Sequence, residues 1–224
     1  MCVSRNSSVR IREALIVLAV AAGLMAQSSR RSAGAPAAFD YYVLSLSWAP
    51  AFCAKPGEAS RNPGECALGQ GIGFVVHGLW PQAAAGKSLE SCGNAGQVPK
   101  AVVSFALQYM PSSGLIQHEW TVHGSCTGVP PFDYFRSVVQ TRSAVQIPVQ
   151  LTSLTSEVRE SAGQIESQFS AANPSFPTTA FRTSCPRGEF EEERVCFDKG
   201  LKPRACTTSV GECTFQAVTI RPPL

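Results

Sequence analysis

Charge is what this chain has least of. Charged residues make up 16% of its 224 positions and the formal net charge is +3, so no strong field of one sign draws a polyanion or an anionic membrane to it. Recognition of a charged partner must be local, through a groove and a few placed groups. Long hydrophobic runs are also lacking: Ala14 to Ala26 is too short to cross about 30 Å of hydrocarbon as a helix. No two cysteines have the C-x-x-C spacing of a zinc knuckle. No H-E-x-x-H and no G-x-S-x-G is present, which removes the zinc-protease signature and the nucleophile elbow of the serine hydrolases. Repeats, low-complexity tracts and linkers are absent, so the chain reads as a single domain.

What is present begins with an export signal. Arg5, Arg10 and Arg12 precede the apolar run. Residues 1–26 are expected to be removed, with the cut placed between 26 and 38 because Ser28 to Ala38 is rich in Ser, Ala and Gly, and the domain spans 39–224. That predicts a secreted or periplasmic protein with no membrane attachment after removal of the signal, and nothing suggests more than a monomer. Removal takes away three arginines and one glutamate, leaving 16 basic and 15 acidic side chains, a net of +1. Of nine cysteines, Cys2 lies in the signal; Cys53, Cys66, Cys92, Cys126, Cys185, Cys196, Cys206 and Cys213 remain. An even count in an exported chain predicts four disulfides rather than a metal site. Connectivity is open on spacing alone, although Cys185–Cys213 nested around Cys196–Cys206 would staple a terminal hairpin.

Tyr41 to Trp48 alternates as a strand, and Gly73 to His77 is a second, buried one. Helical spacing is predicted over Val98–Tyr109, Ser113–His123, Phe132–Val145 and Thr155–Ala171, and strands and hairpins from Phe181 to Ile220. The acidic run Glu189 to Glu193 is expected to be a solvated hairpin tip. Because strands and helices are segregated, the fold class is α+β: a central antiparallel sheet flanked by helices, stapled by disulfides.

The chain has three histidines, all in two dense motifs: His77 in VVHGLWP, and His118 and His123 in QHEWTVHGSC. On a helix, Glu119 and His123 share a face while His118 and His123 point apart. H-E-x-x-x-H therefore fails the zinc spacing, and no metal or cofactor is expected. Two imidazoles and a carboxylate suit a reaction that needs a base and an acid at once near neutral pH. Cleavage of RNA by its own 2′-hydroxyl is such a reaction: one histidine takes the 2′-OH proton, the other protonates the leaving 5′-oxygen. Trp80 and Trp120 beside the histidines offer stacking surfaces for unpaired bases, or are core residues.

The segments FDYYVLSLSWAPAFC, HGLWPQ (His77 to Gln82), HEWTVHGSC (His118 to Cys126) and EERVCFDKGLKPRAC resemble the ribonuclease T2 family of secreted endoribonucleases. The resemblance runs from about Phe39 to Gln216. It implies an antiparallel α+β fold acting on single-stranded RNA and not on DNA, through a 2′,3′-cyclic phosphate to 3′-phosphate ends. By position it implies His77 as general acid, His123 as general base, Glu119 as the carboxylate that stabilises the charged intermediate, and His118 as a phosphate or substrate contact. It also implies Trp80 and Gln82 as base contacts, and a Cys92–Cys126 disulfide. Two positions depart from the family pattern. Val122 stands where a lysine usually precedes the base histidine, and Gln82 stands where many members have an acidic base-reading residue. A catalytically weak or inactive RNA- or nucleotide-binding protein on the same fold is the alternative.

Overall fold

A computed structural model of the chain describes residues 39–84, 87–211 and 213–224; the expected export signal and its cut lie outside the described residues. Four strands form the main antiparallel sheet: β1 (Tyr41–Trp48), β2 (Phe74–Gln82), β4 (Phe181–Ser184) and β5 (Glu192–Asp198), in the order β2-β1-β5-β4. Alternation along β1 decides the two faces. Tyr42, Leu44, Leu46 and Trp48 enter the main core, where Leu79, Val195 and Phe197 meet them. Each such side chain, fully buried, contributes about 1.5–3 kcal/mol of transfer free energy. On the opposite face Tyr41 and Val43 pack with Cys196 and Val210, and then give way to Ser45 and Ser47.

Among the described residues seven α-helices accompany the sheet: α1 (Ala49–Cys53), α2 (Glu58–Arg61), α3 (Lys100–Ala106), α4 (Ser113–Val122), α5 (Pro131–Ala144), α6 (Val149–Thr152) and α7 (Ala162–Ala172). Ser112 caps α4 by accepting the Leu115 N–H at 3.1 Å. Tyr134 on α5 donates its hydroxyl to the Leu79 carbonyl at 3.0 Å and ties that helix to β2. The disulfides are Cys53–Cys66, Cys92–Cys126, Cys185–Cys213 and Cys196–Cys206. No helix among the described residues is long and apolar enough to cross a membrane.

Three sequence expectations are corrected. The second strand does not stop at His77 but runs on to Gln82, because β2 is an edge strand and Pro81 there costs no ladder hydrogen bond. The expected helix from Thr155 begins only at Ala162. Ser161 and Gln164 form a capping box there, while Val158–Glu160 is a short strand, β3, paired with β6 (Val218–Ile220). The acidic run is not a hairpin tip: Glu192 and Glu193 lie inside β5, and Glu193 is fully buried.

Candidate active site

β2 carries a bulge where the site begins. Ser45 pairs with Gly78 and Leu46 with Val76, so His77 has no partner across the ladder. An extra residue of this kind re-aims its side chain. His77 and Trp80 consequently meet on the sheet face opposite the main core, with ring centroids 5.2 Å apart. Gly78 between them leaves room for the carboxylate of Glu119, which a Cβ at position 78 would overlap.

Glu119 and His123 come from the end of α4. The helix closes with the His123 N–H donating to the Glu119 carbonyl at 2.9 Å, and a 3₁₀ turn, Gly124–Cys126, follows. The Cys92–Cys126 disulfide anchors that turn to the preceding loop. Trp80 joins the two motifs: its Nε1–H donates to Glu119 Oε2 at 2.9 Å, and its ring centroid is 5.4 Å from that of His123. Glu119 Oε1 lies 3.6 Å from His77 Nε2. His118 is exposed but close enough for its charge to lower the His123 pKa. Among the described residues no group of His, Cys, Asp and Glu has a metal-binding arrangement.

The two imidazoles differ in charge preference. His123 is buried, which with little compensation from the Leu89 backbone, and with His77 and His118 nearby, lowers its pKa to about 4. Burial also opposes a charge on His77, but the hydrogen bond and charge of Glu192, aided by Glu119, outweigh it and raise the His77 pKa. Burial pushes Glu119 up to about 7, against the pull of the His77 charge and the Trp80 hydrogen bond. The arrangement therefore sets the two imidazoles apart: His123 favours its neutral form, and His77 keeps its proton to higher pH than an ordinary imidazole.

Clefts open on both sides of this centre. One, about 200 Å³, is lined by Ser47, Asn62, Glu65, His77, Ser112 and Leu115 among others. The other, about 250 Å³, is lined by Trp80, Gln82, Ser88, His123, Arg194 and Val210 among others. Gln82 lies in the wall of the second, its amide donating toward the Trp80 carbonyl at 3.5 Å. Trp120 belongs to the core instead, its indole N–H donating to the Ala95 carbonyl at 2.6 Å. Residues 39–206 match the ribonuclease T2 family model.

The chain belongs to the ribonuclease T2 family. It is 35% identical over 126 residues to a ribonuclease of Aeromonas hydrophila, covering 56% of this chain and 55% of that one. A probable ribonuclease of Haemophilus influenzae is 30% identical over 183 residues, covering 77% and 62%. The chain thus spans between about half and two thirds of the length of these two relatives. Among solved structures, RNase NT in complex with 5′-AMP superposes with a TM-score of 0.62 at 18% identity, over 84% of this chain and all of that one; the likeness is one of fold.

The motifs did not point to Glu192 or Arg194. His77 Nδ1 lies 2.8 Å from Glu192 Oε1, and Arg194 donates its Nε–H to Glu192 Oε2 at 3.0 Å, with Nη2 in ion-pair contact with the same oxygen at 3.0 Å. The signal was in the sequence: Val195 and Phe197 alternate with Arg194, Cys196 and Asp198, and extending that period backwards puts Glu192 and Arg194 on one face.

Proposed function

We propose that this protein is an endoribonuclease that cleaves single-stranded RNA without a metal, using His123 as general base and His77 as general acid. The division of charge between the two imidazoles, one depressed to about 4 and the other raised, carries the proposal. His123 takes the proton of the ribose 2′-hydroxyl, the freed oxygen attacks the adjacent phosphorus, and the P–O5′ bond breaks as His77 Nε2 protonates the leaving oxygen. This leaves a 2′,3′-cyclic phosphate. In the second half the roles reverse: neutral His77 takes a proton from water, the hydroxide opens the ring, and His123 returns its proton to the 2′-oxygen, giving a 3′-phosphate. Glu119 stabilises the charged imidazole and, with His118, the region where the phosphorane develops extra negative charge.

Trp80 and Gln82 serve the base on the 2′ side of the cut, since both line the cleft next to His123; unpaired bases stack on such a ring. The nucleotide complex of RNase NT supports nucleotide binding on this fold. Four disulfides and the N-terminal apolar stretch support export to an oxidising compartment, with residues 39–224 as the working domain. Incubation with single-stranded RNA and with DNA of the same sequence, in excess chelator, tests this. Cyclic-phosphate ends on RNA and intact DNA are expected; loss of cleavage in chelator, restored by zinc or magnesium, would contradict it.

A further inference from the structure

Glu192 lies two strands away from His77, yet touches it. The strand between them is β1, and the residues over which contact is made are Ser45, paired with Gly78 and Arg194, and Ser47, paired with Val75 and Glu192. Larger side chains on that face of β1 would stand in the way. Glu192 and Arg194 are two apart in β5 and so share a face. The Arg194 guanidinium completes the anchorage by lying over the Trp80 ring, 5.3 Å from its centroid. One carboxylate thus spends Oε2 on the Arg194 guanidinium, which it holds through one hydrogen bond and an ion pair, and Oε1 on the imidazole, with 13% of its side chain exposed.

We propose that Glu192, held by Arg194, is a positioning residue for the proton donor: it accepts Nδ1–H of His77, fixes that tautomer and ring direction, and leaves the transferable proton on Nε2. This rests on the assignment of His77 as general acid. A metal-free imidazole offers its proton from either nitrogen unless one is occupied, and a carboxylate on Nδ1 occupies it. When Nε2 gives its proton to the leaving oxygen, the ring becomes neutral and Nδ1–H stays with Glu192. The carboxylate does not take the proton, because burial, which would raise its pKa, is outweighed by the His77 bond and charge and by Arg194, which bring it to about 2. The charged and titratable groups facing His77 are Glu192 and Arg194 from β5, Glu119 from α4, Glu65 from the loop after α2, and His123. Glu192 alone among them hydrogen-bonds to it.

With only three histidines in the chain, the His77 titration is readable directly by NMR, independently of activity. Glu192→Gln keeps an oxygen to accept Nδ1–H and removes the charge. The expected result is a His77 pKa lower by about one unit or more, and a basic limb of the kcat profile displaced to lower pH by the same amount. KM on RNA should change less than about threefold, since Glu192 acts through His77 rather than on the substrate. Glu192→Ala should lower kcat further, and Glu192→Asp should recover part of it. Active wild-type protein with an unmoved His77 titration in Glu192→Gln would overturn the role of Glu192 alone. Wild-type protein that leaves RNA uncut would overturn the ribonuclease assignment and the role of the acid with it.

Discussion

Gly78 and Glu119 approach so closely that any side chain at position 78 would occupy the space of the Glu119 carboxylate and crowd the Trp80 indole nitrogen. The glycine between His77 and the tryptophan is therefore a steric requirement of the site: it lets a helix carboxylate reach the strand that carries the acid. Gly78→Ala should displace Glu119 and break its 2.9 Å hydrogen bond from Trp80. Overpacking of this kind costs about 1–3 kcal/mol, and a misplacement near 1 Å in a catalytic group can cost about a hundredfold in rate. Thermal melting and kcat of the variant check both; a variant with wild-type values for each would show that the carboxylate has room to move.

The division of proton affinities predicts a bell-shaped dependence of kcat/KM on pH. The acid limb falls where His123, lowered to about 4, takes up a proton and ceases to be a base. The basic limb falls where His77, raised above the usual imidazole range, loses the proton it must give. Activity should accordingly extend well into acid. A profile whose acid limb lies near the unperturbed imidazole value, about 6.5, would contradict the depressed base.

His77→Ala and His123→Ala should each reduce turnover at least about a hundredfold, the low end of what a positioned acid or base contributes. Retention of a third of the wild-type rate by either variant would remove that histidine from proton transfer.

Much of this was legible in the sequence because the chemistry sits in two short motifs whose spacing is interpretable without the fold. Glu119 and His123, four apart on a helix, share a face, and Trp80 follows His77 by only three positions in the chain. The bulge at His77 was not legible, since it arises from the offset pairing of Val76 and Gly78 with two neighbours on β1. Nor was Glu192. A run of acids looks like a solvated surface by composition, and only its place in β5, two strands from His77, turns one glutamate toward the site and the next into the core.

That next glutamate makes a stability prediction. Glu193 is fully buried, with Oε2 accepting the Thr183 hydroxyl at 2.8 Å and Oε1 unpartnered. Burial raises its pKa well above the ordinary value. The unfolded chain ionises this carboxyl above about 4.3 while the folded chain keeps the proton, so stability falls as pH rises from that value toward the folded pKa, by up to about 1.4 kcal/mol per pH unit. His77, also raised, adds loss of stability in the same direction at higher pH. Glu193→Gln should flatten the fall in melting temperature between mildly acid and neutral pH; an unchanged slope would show that Glu193 titrates normally.

Val122 is half-buried and lies just before His123. Its side chain is not part of either buried cluster, so a lysine there need not place its charge in the core. If the site lacks a cation for the phosphorane, Val122→Lys should raise kcat with little change in KM, because the added charge acts only in the transition state. The ceiling is set by loss of one oxyanion donor elsewhere, about 2.7–4 kcal/mol. A stable variant with unchanged or slower turnover would show that the wild-type site does not lack a cation.

The central claim is that the nucleophile belongs to the substrate and that the protein supplies only proton transfer and charge stabilisation. An RNA oligonucleotide carrying a single 2′-deoxyribose tests it most directly. Each linkage cut in the all-ribose oligonucleotide should still be cut, passing through cyclic-phosphate ends, except the one that follows the deoxy sugar; cleavage at that linkage would contradict the account.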